Sequence, residues 1–404
     1  MGCGEVSTYY YVDQYPPTKP VIVINEILKK IKTIGEGTFG EVILIKSQKT
    51  QREFALKKIQ IKKTNLKIKR ILGEVNILKK LDHPNIISFK GAFKSNDDKV
   101  LNIITEYVNQ GDFEKKIETN YKDKKYFEEK DILNWLFQVC LALQYLHENS
   151  IIHRDIKPSN IYLTENNIIK LGDFGTSKDI SPWHRTRTLA GSPLYSAPEL
   201  LKELEAYENN KKDDMINLSY SYEVDIWSLG VTFCHIMTLE KPFDSNKDII
   251  NNIKSKKIFN REKNCYIDKI AEKYSEDFRD LIDKMMTYEP SERPSIEKIL
   301  ENKIIKNRME LYLNENKFNK DEAIKEINNY IEKYRNIEKE EENNLFNGDK
   351  TDDKYDENFD NLNTSYVSCP QKEEKKKYDF ARQLSIINDY LDKAKTFSPN
   401  KKDN

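Results

Sequence analysis

The chain has 404 residues, with 67 Lys and Arg against 67 Asp and Glu, so its formal net charge is zero. That length suits two lobes with additional tails, and the balanced charge excludes a general electrostatic grip on nucleic acid, so no nucleic-acid partner is expected. No run of about 18 apolar residues occurs, which excludes a transmembrane helix as an expectation, and the start MGCGEVSTYYYVDQYPP lacks the basic and apolar stretches of a secretory signal.

In chain order, Lys29–Ile34 and Val42–Ile45 read as strands flanking Gly35, Gly37 and Gly40. With only 13 glycines in the chain, three within six residues mark a local backbone demand, here the tip of a hairpin. Phe54–Ile61 reads as a third strand. Lys67–Leu81 carries Ile71, Val75, Leu78 and Leu81 at helical spacing and ends at His83-Pro84-Asn85. Ile86–Phe93 and Val100–Tyr107 read as two further strands. Helical patterns then dominate, at Ile132–His147, Ile226–Met237, Phe278–Met286 and Ile296–Ile305. A strand-rich front with one helix ahead of a helical body predicts an α+β class with two lobes. The five cysteines, at positions 3, 140, 234, 265 and 369, form no C-x-x-C pair. That argues against a disulfide framework and for a reducing, cytoplasmic setting. Cys140 and Cys234 lie in apolar helical stretches and read as small buried hydrophobes.

Four groups of residues carry chemistry. Gly35-Glu36-Gly37-Thr38-Phe39-Gly40-Glu41-Val42 fits G-x-G-x-x-G-x-V, and a strand follows it rather than a helix. A glycine loop between strands folds over phosphates and offers backbone N–H groups. On the third strand, Lys57 follows Phe54-Ala55-Leu56 and suits the α and β phosphates, with Glu74 on the next helix as its carboxylate partner. In His153-Arg154-Asp155-Ile156-Lys157-Pro158-Ser159-Asn160, and then Asp173-Phe174-Gly175, the oxygens of Asn160 and Asp173 suit Mg²⁺ held jointly with phosphates. Asp155 is left to orient a substrate hydroxyl and take its proton, and Lys157 to neutralise the transferring group.

Taken in this order, with Ser196-Ala197-Pro198-Glu199, Asp225-Ile226-Trp227-Ser228-Leu229-Gly230 and Glu292-Arg293-Pro294 following, the chain resembles a protein kinase over about residues 27–312. The resemblance implies a bilobal kinase fold, with an N-lobe at about 27–106 and a C-lobe at about 109–312. It implies ATP with Mg²⁺, or Mn²⁺, and protein substrates. By the same resemblance Val42 and Ala55 cover adenine, Ile34 belongs to the ATP site, the backbone of Glu106-Tyr107-Val108 meets adenine, Thr105 guards the pocket behind it and Asp112 reaches the ribose. Glu199 and Arg293 look like a buried pair, Asp225 like the brace of the catalytic loop, and His153 and Phe174 like structural residues. Lys157 and Gly191-Ser192-Pro193 resemble serine/threonine kinases, and Thr176 hints at threonine targets. Arg154 implies regulation by phosphorylation, with Thr188 first and Ser181 and Thr186 in reserve. Residues 132–164, followed by Ile168–Gly175, and then 290–305 look most like the NIMA-related (Nek) group, which points to microtubule or ciliary structures. The alternative is a scaffold that binds nucleotide without turnover.

An insertion at about 202–219 reads as a solvated loop. Residues 313–404 form a charged tail, with Glu338–Asp360 expected disordered. Ile324, Ile327, Ile331 and Tyr334, and then Phe380, Leu384, Ile387 and Leu391, form two short amphipathic stretches that fit either docked helices or a surface for a partner helix. In the tail at 1–26, Gly2 and Cys3 suit double acylation and membrane anchoring, although position six is Val6 rather than Ser or Thr.

Overall fold

The structure is a computed structural model that describes residues 28–37, 40–48, 51–60, 65–94, 100–175, 177–179, 192–201, 221–241, 273–329, 332 and 372–396. It divides into two compact units, 1–312 and 313–404. The insertion at 202–219, the tail 1–26, the stretch 338–360, Thr176, Ser181, Thr186 and Thr188 lie outside the described residues.

The first unit opens with an antiparallel five-stranded sheet of β1 (Leu28–Gly37), β2 (Gly40–Ser47), β3 (Glu53–Gln60), β4 (Phe89–Lys94) and β5 (Val100–Glu106), in the order β1-β2-β3-β5-β4. Because side chains alternate along a strand, each strand feeds two faces. Ile43, Ile45, Phe54, Leu56 and Ile104 form a buried cluster on one of them. The helix α1 (Asn65–Lys80) follows β3 and buries Glu74, Val75, Ile77 and Leu78.

The expected strand Ile86–Phe93 is shorter at its start. Ile86 bridges to Leu171, and the Ile87 amide donates to the Leu171 carbonyl at 2.9 Å. The chain after the Pro84 turn is therefore drawn toward the second lobe before it enters the sheet at Phe89.

The second lobe is mainly helical: α2 (Phe113–Asp123), α3 (Glu129–Glu148), α4 (Glu223–Thr238), α5 (Glu276–Met285), α6 (Ile296–Leu300) and α7 (Lys303–Glu315). Between α3 and α4 lie the short strands β6 (Ile151–Ile152), β7 (Ile161–Leu163), β8 (Ile169–Leu171) and β9 (Lys178–Asp179), with β6 pairing β9 and β7 pairing β8. Helix α4 is buried continuously from Val224 to Met237, and its polar stripe of Asp225, Ser228, Thr232 and His235 is buried with it, each side chain hydrogen-bonded inside the lobe. Trp227 and Val231 pack with Ile152, Tyr195 and Ala197. Cys140 and Cys234 are buried thiols, and burial pushes the Cys234 thiol up to about 12.

The expected single helix Ile296–Ile305 is two helices. The break comes at Asn302, whose Oδ1 accepts the Ile304 amide at 3.0 Å and so starts α7 afresh.

In the second unit, helices cover 320–329 and Lys372–Thr396. Lys320 lies 3.6 Å from Asp389 and 3.5 Å from Asp392. Along the second helix Ala381, Leu384, Ile387 and Leu391 are buried on one stripe. Along the first, Ala323 is buried while Ile324 is 41% exposed, so the apolar seam expected through Ile324 and Ile327 is not the buried one. Ile331 and Tyr334 lie outside the described residues. No described helix is long and apolar enough to cross a membrane.

Candidate active site

The sheet supplies the roof of a cleft through its register. Val42 lies opposite Lys57, which lies opposite Ile103; Leu44 lies opposite Ala55, which lies opposite Thr105. With a side-chain period of two, Val42, Ala55, Lys57 and Thr105 therefore share one face, the one opposite the buried Ile43 and Leu56 cluster. The β1–β2 hairpin closes at Gly37↔Gly40, with Ile34 and Gly35 on its first strand and Glu36 opposite Glu41. Thr38 and Phe39 lie outside the described residues. Within this hairpin Gly40 has a definite need for glycine. Its φ is +142°, and a Cβ there would fall 1.8 Å from the Lys58 carbonyl oxygen. Gly35 is different, since a Cβ would meet Val42 at an ordinary 3.9 Å.

Lys57 joins three elements. Its Nζ lies 2.9 Å from Glu74 Oε1 on α1 and 2.8 Å from Asp173 Oδ1 just past β8. Burial by itself would lower the Lys57 ammonium, but the charges of Asp173 and Glu74 outweigh it and the net shift is upward. Burial would likewise raise the Asp173 carboxyl, and the Lys57 charge carries it below the usual carboxylate range. Glu74 is 6% exposed, and its Oε2 would lie 3.2 Å from a Cβ at Gly175, so the glycine makes room for the carboxylate.

The floor is the loop 153–160. Asp155 Oδ1 accepts the Ser192 amide at 2.8 Å, and Oδ2 lies 2.9 Å from Lys157 Nζ. Asn160 Nδ2 donates to the Asp155 carbonyl at 2.7 Å and to Oδ2 at 3.0 Å, which leaves Asn160 Oδ1 as the side-chain atom available for a cation. His153 Nδ1 faces the Asp155 amide at 3.3 Å and Nε2 faces the Gly172 carbonyl at 3.1 Å. That pattern requires a neutral ring with its proton on Nε2, and burial lowers its pKa accordingly. Phe174 packs edge-on against this ring at 4.9 Å between centroids.

Beneath the loop, the fully buried Asp225 on α4 accepts the His153 amide at 2.9 Å and the Arg154 amide at 2.8 Å, and its Oδ2 lies 2.9 Å from His147 Nε2. Burial would raise this carboxyl, and the hydrogen bond from His147 and its charge carry it below the usual range. Arg154 and Asp173 have φ of 65° and 56°, a left-handed backbone that side chains seldom adopt and that the surrounding hydrogen bonds hold in place.

Asp112 sits at the cleft edge as the N-cap of α2, its Oδ1 accepting the Lys115 amide at 3.0 Å. Val108 is buried just beyond β5. Away from the cleft, Arg293 Nη1 and Nη2 grip Glu199 at 2.7 and 2.8 Å, and its other bonds reach the carbonyls of Glu223, Thr287 and Tyr288.

A family model described as the protein kinase domain matches residues 28–305. This chain belongs to the protein kinase family. Among curated relatives, it is 33% identical over 288 residues to serine/threonine-protein kinase Nek1 of Mus musculus, covering 70% of this chain and 22% of the relative. It is 37% identical over 278 residues to the probable serine/threonine-protein kinase nek3 of Dictyostelium discoideum, covering 68% and 23%. To serine/threonine-protein kinase Nek3 of Mus musculus it is 33% identical over 275 residues, covering 67% and 48%. The chain thus spans less than half the length of each of these relatives.

Sequence patterns gave Ser192 no contact in the cleft and missed Tyr162. Ser192 is remote in sequence from Asp155, yet its amide binds that carboxylate and its Oγ lies 2.6 Å from Lys157 Nζ. Tyr162 stands between buried Ile161 and Leu163, so alternation along β7 gave a signal for its facing the cleft. A Cβ on Gly172 would lie 3.0 Å from Tyr162 Cε2 and 2.9 Å from Ile87 Cγ1, so the ring occupies the room that the glycine leaves. Its phenol is pushed up to about 12, first by burial and then by the charge of Asp173.

Proposed function

We propose that the chain is an ATP-dependent serine/threonine protein kinase that transfers the γ-phosphoryl group of ATP to protein hydroxyl groups. The observation that carries this reading is the pairing of Lys57 with both Glu74 and Asp173, in the cleft whose floor holds Asp155, Lys157 and Asn160 in mutual contact.

Lys57 holds the α and β phosphates, and Glu74 keeps its ammonium in place. Asp155 orients the substrate hydroxyl and takes its proton as that oxygen bonds to phosphorus and the ADP oxygen leaves. Lys157 neutralises charge on the phosphoryl group in transit. The donor set fits a magnesium or manganese ion. Among the described residues no three His, Cys, Asp or Glu side chains gather as a self-sufficient metal cage, whereas Asp173 and Asn160 supply the few protein oxygens such an ion needs beside phosphates. When bound, that ion would neutralise phosphate charge, with Asp173 and Asn160 as its protein ligands.

The reading is tested with the purified chain, Mg²⁺, radiolabelled ATP and an arrayed peptide library. Label on serine and threonine, absent in Asp155→Asn, is expected. Incorporation no greater in the wild type than in Asp155→Asn would leave the alternative, a nucleotide-binding scaffold.

Regulation and placement extend the proposal. Phosphorylation of Thr188, with Ser181 and Thr186 in reserve, activates the enzyme; the support is Arg154, a buried guanidinium beside the base. Mass spectrometry of active enzyme with Thr188 unmodified would count against it. The kinase works in the cytoplasm, at microtubule or ciliary structures, with Gly2 and Cys3 as acylation sites and the 313–404 tail as a surface for a partner helix. Alkynyl-myristate labelling tests the first, and removal of 313–404 with location followed tests the second.

A further inference from the structure

Lys170 carries a charge into the interior of the protein. It lies on β8, three residues before Asp173, and is 2% exposed. Its Nζ sits 3.0 Å from Glu106 Oε1. An interior ammonium is strongly unfavourable without such a partner, and even a good buried ion pair contributes little more to stability than apolar side chains of equal volume. What the pair does supply is a fixed distance between two backbones.

Each end of the pair is anchored. Glu106 is the last residue of β5. Its Oε1 also accepts the Ser88 amide at 2.8 Å, while its own amide donates to the Ser88 carbonyl at 2.9 Å. The carboxylate is therefore set by the sheet. Lys170 pairs with Tyr162 across β7 and β8, and the next residue, Leu171, exchanges backbone bonds with Asn85 at 2.8 Å and Ile87 at 2.9 Å. Gly172 then donates to the Asn160 carbonyl at 2.9 Å. The ammonium thus ties the strand that delivers Asp173 to the strand end where the chain passes from the first lobe to the second.

We propose that Lys170 is a positioning residue for the nucleotide: through Glu106 it fixes the span between the backbone that meets the base and the carboxylate that serves the phosphates. The inference rests on the kinase reading above, which gives Glu106-Tyr107-Val108 to adenine and Asp173 to the metal-bound phosphates. Base and phosphates belong to one ligand, so an error in the span is felt in nucleotide binding before it is felt in chemistry at Asp155.

The test uses the full chain with Lys170→Met and Lys170→Arg. ATP is varied at saturating peptide, and ADP binding is measured by calorimetry. Lys170→Met is expected to raise the KM for ATP and the ADP dissociation constant roughly tenfold, with kcat changed less than about threefold. Lys170→Arg, which keeps a charge on a long stem, is expected to recover most of that loss. Should Lys170→Met fail to fold, the double change E106Q/K170M carries the test. It leaves no charge unpaired, and the amide oxygen still accepts the Ser88 N–H. A nucleotide affinity at the wild-type value in the folded variant, or a loss confined to kcat, overturns the proposal. A wild-type chain that binds ADP but turns nothing over would instead sink the kinase reading, and the ADP measurements on the variants would still decide the role of Lys170.

Discussion

Asp155 is the residue on which turnover depends in this reading, and both its oxygens are already engaged, one by the Ser192 amide and the other by Lys157 and Asn160. Replacing it by asparagine keeps the shape and removes the base. Asp155→Asn is expected to lower kcat by roughly 10²–10⁴-fold while ATP still binds within a few fold, measured by peptide phosphorylation and nucleotide titration. Unchanged turnover would remove Asp155 from its role. Gly40 makes a purely steric demand. The Lys58 carbonyl stands where any side chain would begin. Gly40→Ala is expected to distort the hairpin and raise the KM for ATP several-fold, whereas Gly35→Ala, which meets open van der Waals space, is expected to change it by less than about twofold.

At the scale of elements, the second lobe is held by contacts that tolerate little change. Gly230 brings α4 against α5, and a Cβ there would fall 2.9 Å from Met285 Cβ and 2.8 Å from Met286 Cγ. Gly230→Ala is expected to destabilise the protein by about 1–3 kcal/mol through overpacking, read from denaturant unfolding. Arg293 ties the segment around Glu199 to the start of α4 and to residues 287–288, and its guanidinium also lies 5.1 Å from the Trp227 ring. Arg293→Ala leaves the Glu199 carboxylate facing a void and is expected to cost about 3–5 kcal/mol. Arg293→Lys should rescue little, because a point charge cannot reproduce a planar fork with several bonds. Full recovery by lysine would show that charge alone matters there.

Across the whole molecule, acid sensitivity follows from a buried imidazole. His235 on α4 meets the Tyr195 hydroxyl at 2.9 Å through Nδ1, and burial, with a smaller push from the Lys241 charge, lowers its pKa to about 4. The unfolded chain binds that proton near pH 6.5, so between about pH 6.5 and pH 4 the unfolded state carries one more proton than the folded state. Stability therefore rises with pH in this window and is lost on acidification, by about 1.4 kcal/mol per pH unit at most. Unfolding free energies of wild type and His235→Gln, compared at pH 7.5 and pH 5, should converge by about 2 kcal/mol at the lower pH. A difference that stays constant would mean that the ring titrates normally.

The sequence by itself determined the elements and the chemical inventory. Apolar periodicity marked α3 and α4, the clustered glycines marked the first hairpin, and the HRDIKPSN and DFG strings supplied a base, two cations and metal-binding oxygens in an order that gives the family. Only the tertiary structure decided which of these side chains meet. Lys57 and Asp173 are 116 positions apart, and nothing local in either string fixes the 2.8 Å between them. The same holds for Ser192 with Asp155 and for Lys170 with Glu106. A lysine inside a strand reads as a surface lysine, because sequence patterns report the face on which a residue falls, whereas burial and pairing depend on what the rest of the chain packs against that face. The break at Asn302 and the early departure of Ile86 from the sheet were invisible for a related reason. Hydrogen bonds to an adjacent cap or to a distant strand outweigh local propensity by amounts too small to show in composition, yet large enough to move the end of an element.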